Sequence, residues 1–157
     1  MAPSPARCLI LACGNTLRGD DGVGPWLAAW AEEKYCHDPT VRVLAPQQWT
    51  PELAEDVAHA QSVLFIDCSA ESAPGSMQII EVHPSAPKQG LSTHHLDAPE
   101  LLALARDLYN SLPRESLLLT VGACSTELGE EFGDAVIDAL PGACMLLEET
   151  VLRFLSN

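Results

Sequence analysis

Cys8-Leu9-Ile10-Leu11-Ala12-Cys13 is followed by Gly14-Asn15-Thr16-Leu17-Arg18-Gly19-Asp20-Asp21-Gly22-Val23-Gly24, and then by Pro25-Trp26-Leu27. An apolar run, a glycine-rich turn and the start of a helical pattern thus meet at two adjacent carboxylates. Glycines let the backbone approach a ligand closely, and the carboxylates offer hard oxygen atoms to a metal or a proton. Phosphate is disfavoured, because it seeks N–H groups and a cation at a helix start and two fixed negative charges repel it. The spacing is not Gly-x-Gly-x-x-Gly, so the dinucleotide fingerprint fails. Asp20 and Asp21 also stand where N-capping residues belong, and a cap alone would account for one of them. Ile10-Leu11-Ala12-Cys13 looks like a lipobox, but the apolar run before Cys13 is shorter than the roughly 7–15 residues of a signal h-region.

Working outward, Arg7–Ala12 reads as the first strand and residues 22–35 as the first helix. Trp26, Leu27, Trp30 and Ala31 fall at helical spacing there, which predicts that both tryptophans pack into core or groove. Val41–Leu44 reads as a second strand. Thr50-Pro51-Glu52-Leu53 opens a helix to about Ala60, with a cap residue and then proline at the first position. Val63-Leu64-Phe65-Ile66 is continuously apolar up to Asp67, as in a strand buried on both faces. The gap to the next strand, Met77–Val82, is too short for a helical crossover, so that strand is expected to run antiparallel to its predecessor. A helix over 99–111 carries an apolar face of Leu101, Leu102, Leu104, Ala105 and Leu108. A strand follows over Ser116–Cys124, then a short helix near 132–139 and a C-terminal helix over 141–155. The alternation predicts an α/β fold: a three-layer sandwich with a mixed, mostly parallel sheet of about five strands flanked by helices.

The chain of 157 residues reads as a single domain, with residues 1–6 as a loose tail. Eight basic against 22 acidic residues leave a net charge of −14 and no basic stripe for a nucleic-acid backbone. No segment reaches the roughly 18 apolar residues that span a bilayer. Without a signal peptide either, a cytoplasmic monomer with no membrane and no nucleic-acid partner is expected. Cys8, Cys13, Cys36, Cys68, Cys124 and Cys144 form no Cys-x-x-Cys and read as buried, reduced thiols.

Ligands of an open α/β sheet sit beyond the C-terminal ends of its parallel strands. The Gly14–Asp21 turn closes the first strand and Asp67 closes the buried one, where an Asx-turn is its alternative role. Ser92-Thr93-His94-His95-Leu96 lies in the loop feeding the third helix. Two separated aspartates and a histidine at strand ends make an oxygen and nitrogen set suited to a divalent metal, with positions left open. His37, His59 and His83 lack that context and read as surface residues.

At these residues the sequence resembles the nickel–iron hydrogenase maturation endopeptidases, which clip a C-terminal extension from the hydrogenase large subunit after nickel insertion. The family pattern Gly-Asn-x-Leu-x-x-Asp-(Asp/Glu)-x-x-Gly matches Gly14–Gly24, the apolar strand ending in aspartate matches Val63–Asp67, and Ser-Thr-His-x-Leu with a leucine-rich helix matches Ser92–Leu104. The late strand Leu118-Leu119-Thr120-Val121-Gly122 extends the likeness over nearly the whole chain. The resemblance implies metal ligands, and the catalytic set, at Asp21, Asp67 and His94, with Asp20 and His95 as neighbours able to substitute in part. It implies a large-subunit precursor as partner and nickel carried by that substrate, with other divalent metals able to occupy the site. Three rival readings stand beside it: a cysteine protease with Cys68 as nucleophile and His94 as base, a non-catalytic nickel-sensing checkpoint that holds the precursor, and a cofactor-binding oxidoreductase on a Rossmann-like sheet, which the failed glycine fingerprint and the acidic loop weaken.

Overall fold

The strand Cys8–Ala12 (β1) is buried along its whole length, because both of its faces meet helices. The computed structural model describes residues 5–86 and 96–157. After β1 come α1 (Val23–Lys34), β2 (Val41–Leu44), α2 (Ala54–His59), β3 (Ser62–Ser69), β4 (Met77–Glu81), α3 (Ala98–Tyr109), β5 (Glu115–Gly122) and α4 (Asp134–Ser156). The sheet order is β2-β1-β3-β5-β4; β4 alone is antiparallel to its neighbour. Ile10, Leu64 and Ile66 face Leu27 of α1 and Leu147, Val151 and Phe154 of α4. Leu9, Leu11, Val63 and Phe65 face Val57 of α2 and Leu101 and Leu102 of α3. A period of two with both faces apolar erases any hydrophobic alternation, hence the unbroken apolar runs of β1 and β3. The expected three-layer α/β sandwich is thus the fold.

Several elements differ in detail from their sequence reading. β4 does run opposite to β3, but it pairs with β5, which returns through α3 and inserts between the two. β5 has the apolar faces a central position requires, whereas β4 is mostly exposed and suits an edge. The two helices expected near 132–139 and 141–155 are one helix, α4, with Pro141 inside it. Val136, Ala139, Ala143, Leu147 and Val151 form one buried stripe across the proline, which itself faces solvent. Sheet packing therefore holds together a helix that the missing N–H would otherwise interrupt. Trp26 is exposed, against expectation, while Trp30 packs at the core margin; Leu108 of α3 is likewise exposed. Thr50 makes no side-chain cap, and the chain enters α2 through a 3-10 turn over Pro51–Leu53. Cys36 and Cys124 are exposed rather than buried; all six thiols are free. His37, His59 and His83 lie at the surface as read.

β1 ends at Ala12, opposite Ile66, while β3 continues through Asp67 and Cys68 to Ser69. The chain leaves β1 for α1 on one face and reaches β3 from α2 on the other. That divergence opens a crevice between the C-terminal ends of β1 and β3, the topological switch point of the sheet.

Candidate functional site

Beyond β1 the chain must turn back onto its own strand end, and two glycines permit it. Gly14 has φ +148°, and a Cβ on it would overlap the Asp21 carbonyl oxygen. A Cβ on Gly24 would overlap the Cys13 carbonyl, so α1 starts in direct backbone contact with the end of β1. Between them Gly19–Gly22 forms a 3-10 turn with no side-chain cap. Neither aspartate is a helix cap; each has another partner.

Asp21 points to the switch point. Its Oδ2 accepts from the Asn15 N–H at 2.7 Å, and its Oδ1 accepts from the Cys68 thiol at 3.1 Å. Asp67 Oδ1 accepts from the Cys68 N–H at 2.8 Å. Alternation along β3 sends Asp67 and Cys68 to opposite faces, yet both reach Asp21 because β1 has already ended beside them. One ligand atom from each of Asp21, Asp67 and Cys68 lies within 4.8 Å of the others. Donors on one metal, each bonded at about 2.0–2.3 Å, stand no farther apart than roughly 4.5 Å, so the three fit a common ion with little closure. Burial pushes the Asp67 carboxyl up to about 6 and the Asp21 charge adds to the rise, against hydrogen bonds from Cys68 and Cys13 that lower it. Burial first, then the hydrogen bond to Asp21, pushes the Cys68 thiol far up, so it stands as a protonated donor. That state opposes a thiolate nucleophile.

Asp20 turns the other way and is 1% exposed. Its Oδ2 accepts from the N–H groups of Cys124 (2.7 Å) and Ser125 (3.3 Å), and its Oδ1 from that of Gly133 (2.8 Å). Backbone bonds from Gly19 N–H to Gly129 O (2.7 Å), Gly129 N–H to Leu17 O (2.8 Å) and Asp20 N–H to Ser125 O (3.0 Å) complete the join. Asp20 therefore fixes the turn that carries Asp21 to the segment before α4. A pair of adjacent aspartates does not tell in sequence which one folds and which one faces a ligand.

A cleft of about 600 Å³ opens over Asp21 and Asp67, with Asn15, Arg18, Gln47 and Trp49 in its wall. Leu96 and Asp97 line its far side, where the Leu96 N–H donates to the Trp49 carbonyl at 3.3 Å. Asp97 caps α3: it accepts from the Glu100 N–H at 2.8 Å, and Glu100 accepts from the Asp97 N–H at 3.3 Å. The structure thus brings Asp21 and Asp67 together. His94 and His95 lie outside the described residues. Sequence reasoning missed Cys68 as a donor atom of this cluster; its position next to Asp67 was the available signal.

No family model matches the chain. The hydrogenase 2 maturation protease of Escherichia coli (strain K12) is 29% identical over 104 residues, 64% of this chain and 63% of that protein. The match therefore spans less than two thirds of its curated relative. Among solved structures, the hydrogenase 2 maturation peptidase from Thaumarchaeota archaeon SCGC_AB-539-E09 is 25% identical with a TM-score of 0.68, covering 92% of this chain and 97% of that one. The hydrogenase maturating endopeptidase from E. coli superposes with a TM-score of 0.74 at 21% identity, over 94% of this chain and 93% of that one, a likeness of fold alone. The resemblance read from the motifs thus holds in sequence and in fold.

Proposed function

We propose that this protein is an endopeptidase that removes the C-terminal extension of a nickel–iron hydrogenase large-subunit precursor after nickel insertion. One observation carries the reading: the Asp21 and Asp67 carboxylates meet beneath a cleft, at the switch point of a fold shared with hydrogenase maturation proteases. Nickel is part of the substrate in this account. Asp21, Asp67 and, by the family resemblance, His94 engage it, and their incomplete shell leaves room for what the precursor itself supplies. A precursor without nickel presents nothing for these side chains to hold, so metal insertion licenses cleavage. With the metal engaged, a carboxylate of the pair is suited to act as base toward a water molecule.

The test is incubation with each candidate large-subunit precursor, with and without nickel, read by mass spectrometry of the product. Loss of the C-terminal tail only from the nickel-loaded precursor is the expected result. Equal cleavage without nickel would remove the metal from the account. Stable binding of the loaded precursor with no cleavage would make the protein a checkpoint instead of a peptidase.

A further inference from the structure

We propose that Cys68 is a metal donor alongside Asp21 and Asp67, and that its sulfur biases this site toward soft and borderline divalent ions over hard ones. The inference rests on the reading of the two aspartates as metal-engaging, and deepens it by naming what sets the preference of the site. Cys68 Sγ lies 3.1 Å from Asp21 Oδ1. An ion held by both carboxylates sits among donor atoms within 4.8 Å of one another, and the sulfur is one of them. Cys68 is half-buried at the crevice; buried Cys13 hydrogen-bonds Asp67 but falls outside the three-residue cluster, as do the enclosed Cys8 and the exposed Cys36 and Cys124.

A site of carboxylates alone suits magnesium, calcium or manganese, whereas a thiolate favours softer metals. Two carboxylates with one sulfur make a mixed set that the sulfur shifts toward softer ions, in the same direction as the imidazole that the family resemblance assigns to His94. Coordination breaks the S–H bond, forms a sulfur–metal bond and passes the proton to solvent; no electron is transferred. The thiol-to-Asp21 hydrogen bond is given up in the exchange, so Cys68 holds Asp21 in the empty site and shares the ion with it in the filled one.

The full chain is titrated with cadmium, nickel and magnesium, with exposed Cys36 and Cys124 replaced by serine to silence adventitious surface thiols. Expected are ultraviolet thiolate-to-metal charge-transfer bands, at shorter wavelength with cadmium than with nickel, and their loss in Cys68→Ser. That variant keeps a hydroxyl able to bond Asp21, so positioning survives while the soft donor is gone. Its cadmium affinity should fall about tenfold or more, with magnesium affinity little changed. Cys68→Ala, checked by circular dichroism, repeats the measurement without the hydroxyl. Unchanged band and unchanged cadmium affinity in Cys68→Ser overturn the proposal. Asp21→Asn and Asp67→Asn keep the two readings apart: if both abolish cadmium binding while Cys68→Ser does not, only the role of sulfur fails. If neither affects it, the metal site itself fails. No precursor enters the assay, so cleavage is judged separately.

Discussion

The Asp20 carboxylate accepts three backbone N–H bonds in a buried setting, and the Asp21 carboxylate accepts one at the edge of an open cleft. Asp20→Ala leaves those donors unanswered and should cost about 3 kcal/mol of stability in urea unfolding. Asp21→Asn keeps its shape and should stay within about 1 kcal/mol of the parent while losing cadmium binding. The reverse order would show that the two roles have been exchanged. Asp67 sets a pH dependence. Burial raises its folded pKa to about 6, above the ordinary 3.8, so the neutral form is the one the fold favours. The contribution is fully present below pH 3.8 and lost as pH rises through 6. Metal-free Asp67→Asn should therefore be more stable than the parent at pH 7.5, by on the order of 2 kcal/mol, with no gain near pH 4. A stability difference that stays constant across that range would mean that burial does not shift this group. For the histidines, His94→Ala should abolish cleavage of nickel-loaded precursor and His95→Ala should be far milder; full activity in the first, or equal loss in both, would mean that the wrong histidine was chosen. That Asp67 meets Asp21 was legible in the sequence, because a carboxylate ending an apolar run has no packing reason to be there, although β3 itself continues to Ser69. Cys68 was not, because its importance depends on where a turn 47 residues earlier delivers Asp21.

The 23-residue helix α4 carries an exposed proline, Pro141, on its solvent face. An exposed interior proline is disfavoured by roughly 3 kcal/mol relative to alanine. Pro141→Ala should accordingly raise stability by about 1–3 kcal/mol in urea unfolding, with the buried stripe unchanged. A neutral or destabilising result would show that the proline ring helps to fit α4 to the sheet. The same helix marks the limit of local reading. Proline signals a break, and only the continuity of Val136, Ala139, Ala143, Leu147 and Val151 against the sheet overrides it. β1, β2 and β3 were legible because apolar runs bounded by turns leave little choice. The place of β4 at the edge was not, since its direction follows from loop length but its partner depends on where β5 inserts. Trp26 misled for a related reason: helical spacing puts it on the face of Leu27 and Trp30, yet α1 is short and its sheet contact is carried by Leu27, Ala28 and Ala31.

Across the whole molecule, 22 acidic residues against 8 basic ones leave most carboxylates without a cationic neighbour. Ion pairs such as Lys34–Glu148 at 3.3 Å and Arg106–Asp107 at 3.0 Å are exposed, so they offset little of that repulsion. Raising the ionic strength from about 0.01 M to 0.15 M shortens the screening length from roughly 30 Å to 8 Å. The melting temperature should rise with it, by a few degrees for a gain on the order of 1 kcal/mol; a flat or falling curve would mean that the acidic residues are spaced too widely to repel. The bond network around Asp20 bears on how such a scaffold can be rebuilt. The turn at residues 14–22 and the segment at 124–133 form one cassette, plug and socket from distant parts of the chain. Transplanting the turn alone into a cousin carries a charged plug without its socket, and moving the later segment alone leaves an empty socket. Loop exchange among such scaffolds therefore succeeds in pairs, and a hybrid library built on single crossovers between residues 22 and 124 would discard the very combinations that fold.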